Sequence, residues 1–217
     1  KDINGNELAL EWTAHLPGAL STKIFSLSTV QNNEQALAMF QESGMPHQNA
    51  VFGDSSGKIA WKLTGLQKYW EMGCQRTDPL DSKDPADAAC FAKPLAEDYL
   101  HPQIVSPDSH RLWSANARVT DGEMLRQIGD AGYANGARSK QIRDDLFAKQ
   151  QFSEKDLLAV QLDDRTLFLQ GWWQQLRKLG ENKNDAMFKD INAATEKWDA
   201  RATTDARSYR FVRAWRL

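Results

Sequence analysis

Asn116 sits between two alanines in Ala115-Asn116-Ala117-Arg118, and Arg138 opens an amphipathic run after a loop punctuated by Gly132 and Gly136. An asparagine amide is a neutral donor that can hold the charge developing on an attacked carbonyl oxygen, and a guanidinium nearby can fix its orientation. These two residues are the candidates for chemistry. Judged by its neighbours alone, Asn116 reads first as a turn or strand-end residue, because its side chain readily bonds nearby backbone. Arg138 by itself reads first as an exposed residue at a helix start. A cation in the first helical turn opposes the macrodipole, however, so that position is mildly unfavourable unless another task holds it.

Other hydrolytic chemistries find no support. His15, His47, His101 and His110 lie in no G-x-S-x-G elbow and at no H-E-x-x-H spacing, which leaves out a serine triad and a zinc hydrolase. His101 and His110 flank Ser106 and Ser109, but a polar loop accounts for all four. Ser55-Ser56-Gly57-Lys58 matches S-x-x-K, yet it bridges two expected strands where that motif needs a helix start. The run GYANG at 132–136 follows no strand and carries no Lys-Ser/Thr, so it is not a phosphate loop.

The elements that must position the candidate residues belong to a chain of 217 residues, 41% hydrophobic and 26% charged, enough for one sizeable core or two small ones. With 27 basic and 29 acidic side chains spread without blocks, the net charge of -2 leaves no electrostatic footprint for nucleic acid. No apolar run is long enough to span a bilayer, and the first residues lack the apolar core of a signal peptide.

Leu8, Leu10, Trp12 and Ala14 alternate with Glu7, Ala9, Glu11 and Thr13, which predicts a strand over 6–16 ended by Pro17-Gly18. Ile24 to Val30 reads as a second short strand or a connection. Asn32 and Gln35 make a capping-box-like start to a helix over about 33–43, stopped by Gly44 and Pro46. NAVFG, Asp54-Ser55-Ser56-Gly57 and KIAWKLTG then read as a hairpin, with Gly57 free to take positive φ. Strand signals are thus concentrated in the first third, residues 1–66.

The stretch 67–111 has no sustained period and reads as a long loop excursion. Its aromatics Tyr69, Trp70, Phe91 and Tyr99 suit either a pocket lining or simple anchors of the loop. Cys74 and Cys90 admit a disulfide, two free thiols or half of a metal site. The disulfide is favoured, since closing a loop of this length is worth about 3 kcal/mol. No CxxC or histidine pair sits at zinc-ligand spacing, so no metal is assigned.

The remainder, 112–217, is mainly helical. Asp121 can cap a short helix through Met124, Leu125 and Ile128, and Ile142, Leu146 and Phe147 mark the next. Ser153 with Asp156 caps what reads as one long, multiply buried helix reaching Gly180, with Gln161 and Asp163-Asp164-Arg165 inside it as a structural hydrogen-bond network. A further helical segment covers 184–198, and SYRFVRAWRL reads as the start of a strand or helix. The pattern alone gives an α+β class with helices dominant after 120.

Five pieces, in order, carry a resemblance: LALEWTAHLPG at 8–18, PHQNAVFGDSSGKIAWKLTG at 46–65, LWSANAR at 112–118, GYANGARSKQIRDDL at 132–146 and FSEKDLLAVQLDDRTLFL at 152–169. Together they resemble the penicillin acylase (penicillin amidase) family of N-terminal-nucleophile hydrolases. The resemblance implies an αββα sandwich, of which this chain is a single internal piece of the large subunit. It also implies a role for Asn116 in the oxyanion hole, with Arg138 orienting that Asn and a small amide substrate. The family's nucleophile is a Ser, Thr or Cys whose own α-amino group is the base. This chain begins with Lys1, so the expectation is a piece inactive alone, partnered by the small subunit and a nucleophile-bearing segment. The resemblance further implies export, commonly to the periplasm, with which a Cys74–Cys90 disulfide would agree. Many members bind calcium, but no ligands for it are matched here. The competing expectation is a non-catalytic helical binding or scaffold domain.

Overall fold

The computed structural model describes residues 3–5, 7, 13–15, 18–65, 102–128, 132–183 and 185–217. Cys74, Cys90 and the aromatics Tyr69, Trp70, Phe91 and Tyr99 lie outside them, as does most of the strand expected over 6–16. Thr13–His15, within that stretch, form a 3-10 turn. The architecture is α+β with helices dominant: seven α-helices and one three-stranded antiparallel sheet among the described residues. The chain divides into two compact units, Lys1–Gly136 and Ala137–Leu217.

In the first unit, the hairpin forms as its turn residues require. Strands β1 (Asn49–Gly53) and β2 (Ile59–Leu63) pair antiparallel, with Asn49 opposite Leu63 and Gly53 opposite Ile59. The Asp54 carboxylate accepts from the Ser56 N–H at 2.9 Å, and Gly57 takes φ +83 to close the turn. A third strand, β3 (Gln103–Val105), pairs with the other edge of β2, placing Ile104 beside Trp61 and Gln103 beside Lys62. This strand falls in the stretch expected to be a loop. Three residues are too few to show a period, and long-range pairing creates the strand.

Helix α1 (Asn33–Glu42) starts as expected, with the Asn32 side chain accepting from the Gln35 N–H at 3.0 Å. It buries Ala36 and Phe40, and the Phe40 ring lies 5.7 Å from that of Phe52 on β1. The Asn33 N–H donates to Asp54 at 3.2 Å, tying helix to hairpin. Residues Thr22–Thr29, the expected strand or connection, instead form a 3-10 helix. The hydroxyls of Ser28 and Thr29 bond back to the carbonyls of Phe25 and Ser26 and stabilise that tight winding. Just before it, the chain passes so close to Gly44 that a Cβ there would meet the Gly18 carbonyl oxygen at 1.8 Å. Helix α2 (Gly122–Ile128) follows Asp121, as the sequence suggests.

The second unit consists of helices α3 (Ala137–Phe147), α4 (Glu154–Gln161), α5 (Leu169–Gly180), α6 (Ala186–Ala194) and α7 (Arg207–Arg216). Its core is Leu169, Leu176 and Val212, with Trp173, Ile191, Trp198 and Tyr209 packed around them. Trp173 stacks on Trp198 at 5.9 Å and donates its indole N–H to the Thr195 carbonyl at 2.7 Å. The Asp199 carboxylate accepts from both the N–H and the hydroxyl of Ser208, which fixes the entry to α7.

The long helix expected from Ser153 to Gly180 is broken: α4 ends at Gln161 and α5 begins at Leu169. The break has a local and a long-range cause. The Arg165 N–H turns to its own neighbour's carboxylate, Asp163 Oδ1, at 3.1 Å. Thr166 donates to the Ala200 carbonyl, and Ala202 donates to that of Asp164, both at 2.9 Å. These bonds replace the i→i−4 ladder. The burial expected on several sides fails with it, since Leu158 and Leu162 are exposed.

Candidate functional site

Asn116 belongs to the first unit, at a bend between Ser114 and Arg118. The residue is exposed, while its neighbour Ala117 is buried and anchors the bend. The backbone is held from across the loop: the Ala134 N–H donates to the Asn116 carbonyl at 2.9 Å. That bond ties the bend to the loop at 132–136.

Arg138 belongs to the second unit, in the first turn of α3, where the sequence places it. It is exposed and contributes to the wall of a cavity of about 410 Å³ between α3, α4 and the 162–168 segment. The apolar wall comes from Ile142, Val160, Leu167, Phe168 and Leu169. Its polar residues are Arg138, Gln141, Gln161 and Thr166 together with Asp145, Asp163 and Arg165, and the Thr166 hydroxyl oxygen is buried without a hydrogen-bond partner among the described residues. A mostly apolar hollow with a few convergent polar groups has the makeup of a small-molecule pocket.

One side of that cavity is made rigid by the network expected around Asp163 and Arg165. Arg165 donates from Nε to Asp163 Oδ1 and from Nη2 to Asp163 Oδ2, and Nη2 also reaches Asp145 Oδ1 on α3. Gln141 donates to Asp163 Oδ2 and, at 3.0 Å, to the Arg165 carbonyl. The Arg165 guanidinium holds the Asp163 carboxyl well below the usual carboxylate range, with Gln141 adding to the effect; Asp163 and Asp145 in turn raise Arg165 above its ordinary value. The groups saturate one another, so this cluster supports the pocket.

Gln141 and Thr166 were not singled out by their sequence context. A glutamine on a polar helix and a threonine after Asp-Asp-Arg carry no signal until α3 packs on α4. Among the described residues, no cluster of three His, Cys, Asp or Glu side chains could hold a metal ion, so no calcium ligands are assigned. Likewise, no helix among them is long and apolar enough to cross a membrane.

Compared with known families, residues 2–217 match the model of the family described as penicillin amidase. No curated protein matches the chain.

Proposed function

The chain belongs to the penicillin amidase family, and from that membership we propose that it is part of an amidohydrolase that cleaves a linear amide through an acyl-enzyme. In this reading another segment of the parent brings the nucleophile and the amine that acts as its base. The nucleophile's oxygen or sulfur attacks the substrate carbonyl, and its proton passes to the base. The side-chain N–H of Asn116 and a backbone N–H from elsewhere hold the resulting oxyanion. Collapse expels the amine with the transferred proton. Water then attacks the acyl-enzyme by the same route and releases the carboxylic acid.

Arg138 acts as an orienting group for the substrate. The family match over residues 2–217 carries this reading. The clamped backbone of Asn116 and the place of Arg138 on a cavity wall are compatible with the two roles. In this reading the 217-residue chain is catalytically silent alone, and the parent is periplasmic or secreted.

Mass spectrometry of the complete gene product tests the proposal. Self-cleavage that frees a Ser, Thr or Cys at a new N-terminus, followed by acylation of that residue by an activated ester, is the expected result. A parent that neither cleaves itself nor traps an acyl group would instead favour a non-catalytic helical binding domain.

A further inference from the structure

We propose that Asn135 is a site of spontaneous covalent modification, losing its side-chain nitrogen to become an aspartyl or isoaspartyl residue. The step needs water and no other reactant. The main-chain nitrogen of Gly136 attacks the Asn135 side-chain carbonyl carbon, and the new bond closes a succinimide ring. The side-chain nitrogen leaves as ammonia, carrying the proton that the Gly136 nitrogen gives up. Water then breaks one of the two carbonyl–nitrogen bonds of the ring and returns a proton to that nitrogen. Opening on the side-chain carbonyl gives an aspartyl residue; opening on the main-chain carbonyl gives an isoaspartyl one.

Ring closure needs an attacking nitrogen that can reach the side chain, and glycine has no side chain to block the approach or restrict the backbone. The sequence pairs Asn with Gly at two places, Asn4-Gly5 and Asn135-Gly136. At the second, both residues are exposed and lie in irregular chain just ahead of α3. The Gly136 N–H makes no hydrogen bond among the described residues, so no acceptor there has to be given up before the nitrogen attacks. A Cβ built on Gly136 would meet nothing within 4 Å, so the space beside that nitrogen is open. Other asparagines are placed differently. Asn33 and Asn192 lie in α1 and α6 and Asn49 in β1, where paired backbone resists the rotation that closure requires. Asn116 is followed by Ala117, which is buried and bears a methyl group.

The position gives the change its consequence. One residue earlier, the Ala134 N–H donates to the Asn116 carbonyl at 2.9 Å, and three residues later Arg138 stands in the first turn of α3. That turn holds no acidic side chain, so the aspartyl product supplies the negative charge that a helix start favours. The isoaspartyl product instead lengthens the main chain by a carbon between Ala134 and α3. The chemistry uses neither a nucleophile of the parent nor an oxyanion donor, so its test stands apart from the amidohydrolase reading.

The complete gene product is aged in mildly alkaline water enriched in heavy oxygen, beside the same protein held unfolded in guanidinium, and both are mapped by proteolysis and mass spectrometry. The peptide holding position 135 should exchange its amide nitrogen for one heavy oxygen and split into two chromatographic peaks. The rate should lie within about tenfold of the unfolded reference, as expected where exposed, irregular backbone needs little opening. G136A, for which the structure has room, should slow the conversion about tenfold by restricting the backbone and crowding the nitrogen. N135Q, whose amide closes only a larger and slower-forming ring, should stay unconverted. Circular dichroism confirms the fold of both variants. An Asn135 that stays intact overturns the proposal, as does conversion of G136A at the parent rate or a product without heavy oxygen.

Discussion

Arg165 grips Asp163 through two parallel hydrogen bonds, Nε to Oδ1 and Nη2 to Oδ2, each 2.8 Å. The same guanidinium reaches Asp145 on α3, so a single side chain joins the broken-helix segment to the helix that carries Arg138. Asp163 is largely buried, its side chain 11% exposed, and removing its charge leaves the Arg165 and Gln141 donors with a poorer acceptor. Asp163→Asn should cost about 2 kcal/mol of unfolding free energy, read as a lower urea midpoint. The pH dependence follows from the direction of the shift. The folded-state value is depressed, so this stability is complete above the unfolded value of about 3.9 and drains away as pH falls below it. The variant should lose stability less steeply in acid than the parent chain. An unchanged midpoint and an unchanged acid slope would show the network to be incidental.

Lys62 poses the opposite problem in the first unit. It is 1% exposed in the central strand, and among the described residues its ammonium has one hydrogen-bond partner, the Gln103 side-chain oxygen at 3.3 Å. Burial lowers its pKa, so the unfolded chain binds the proton more tightly than the folded one. Stability should therefore rise with pH between the folded value and about 10.4. Lys62→Met, similar in length and uncharged, should flatten that rise and stabilise the fold at pH 7 by about 1 kcal/mol. Thermal unfolding at pH 7 and pH 10 measures both effects. A loss of stability at pH 7 would mean that the lysine's contacts outweigh its desolvation.

What the sequence made legible was what local chemistry decides. Asn32 with Gln35, Asp54 to Gly57, and Ser153 with Asp156 each specify a cap or turn through neighbours within a few positions, and each forms as expected. The break at 162–168 was not legible, because its backbone bonds come from Ala200 and Ala202, remote in sequence. The apolar pattern of Leu157 to Leu179 continues through the break and hides it. β3 exists only because β2 has an open edge. In the candidate site, the position of Arg138 at a helix start could be read in advance, whereas Gln141 and Thr166 joined the cavity only through packing of α3 on α4.

The start of α4 gives a local test of helix capping. The Ser153 hydroxyl accepts from the Asp156 N–H at 3.3 Å, and the Asp156 carboxylate accepts from the Ser153 N–H at 3.0 Å. Ser153→Ala should cost about 1 kcal/mol. Lys149, followed by the backbone N–H and hydroxyl of Ser153, holds the Asp156 carboxyl at about 2. Its contribution should be complete above about pH 4 and lost as pH falls through about 2. Amide exchange at residues 154–158 reports the fraying directly. Equal protection in the variant would mean that tertiary packing alone holds this helix end.

Asn116 and Arg138 can be tested by substitutions whose functional and structural effects separate. On the proposed oxyanion role, Asn116→Ala in the complete enzyme should lower kcat about two to three orders of magnitude, while the Ala134 bond to its carbonyl remains and unfolding changes little. Arg138 lies in the first turn of α3, where its charge opposes the helix dipole. Arg138→Gln should therefore raise stability by a few tenths of a kcal/mol, about the size of an exposed dipole effect. On the proposed orienting role it should nevertheless lower kcat/KM. A more stable but slower variant is difficult to explain by a purely structural arginine. If both substitutions leave kcat and KM unchanged in an enzyme that hydrolyses its amide, the oxyanion and orienting roles belong to other residues.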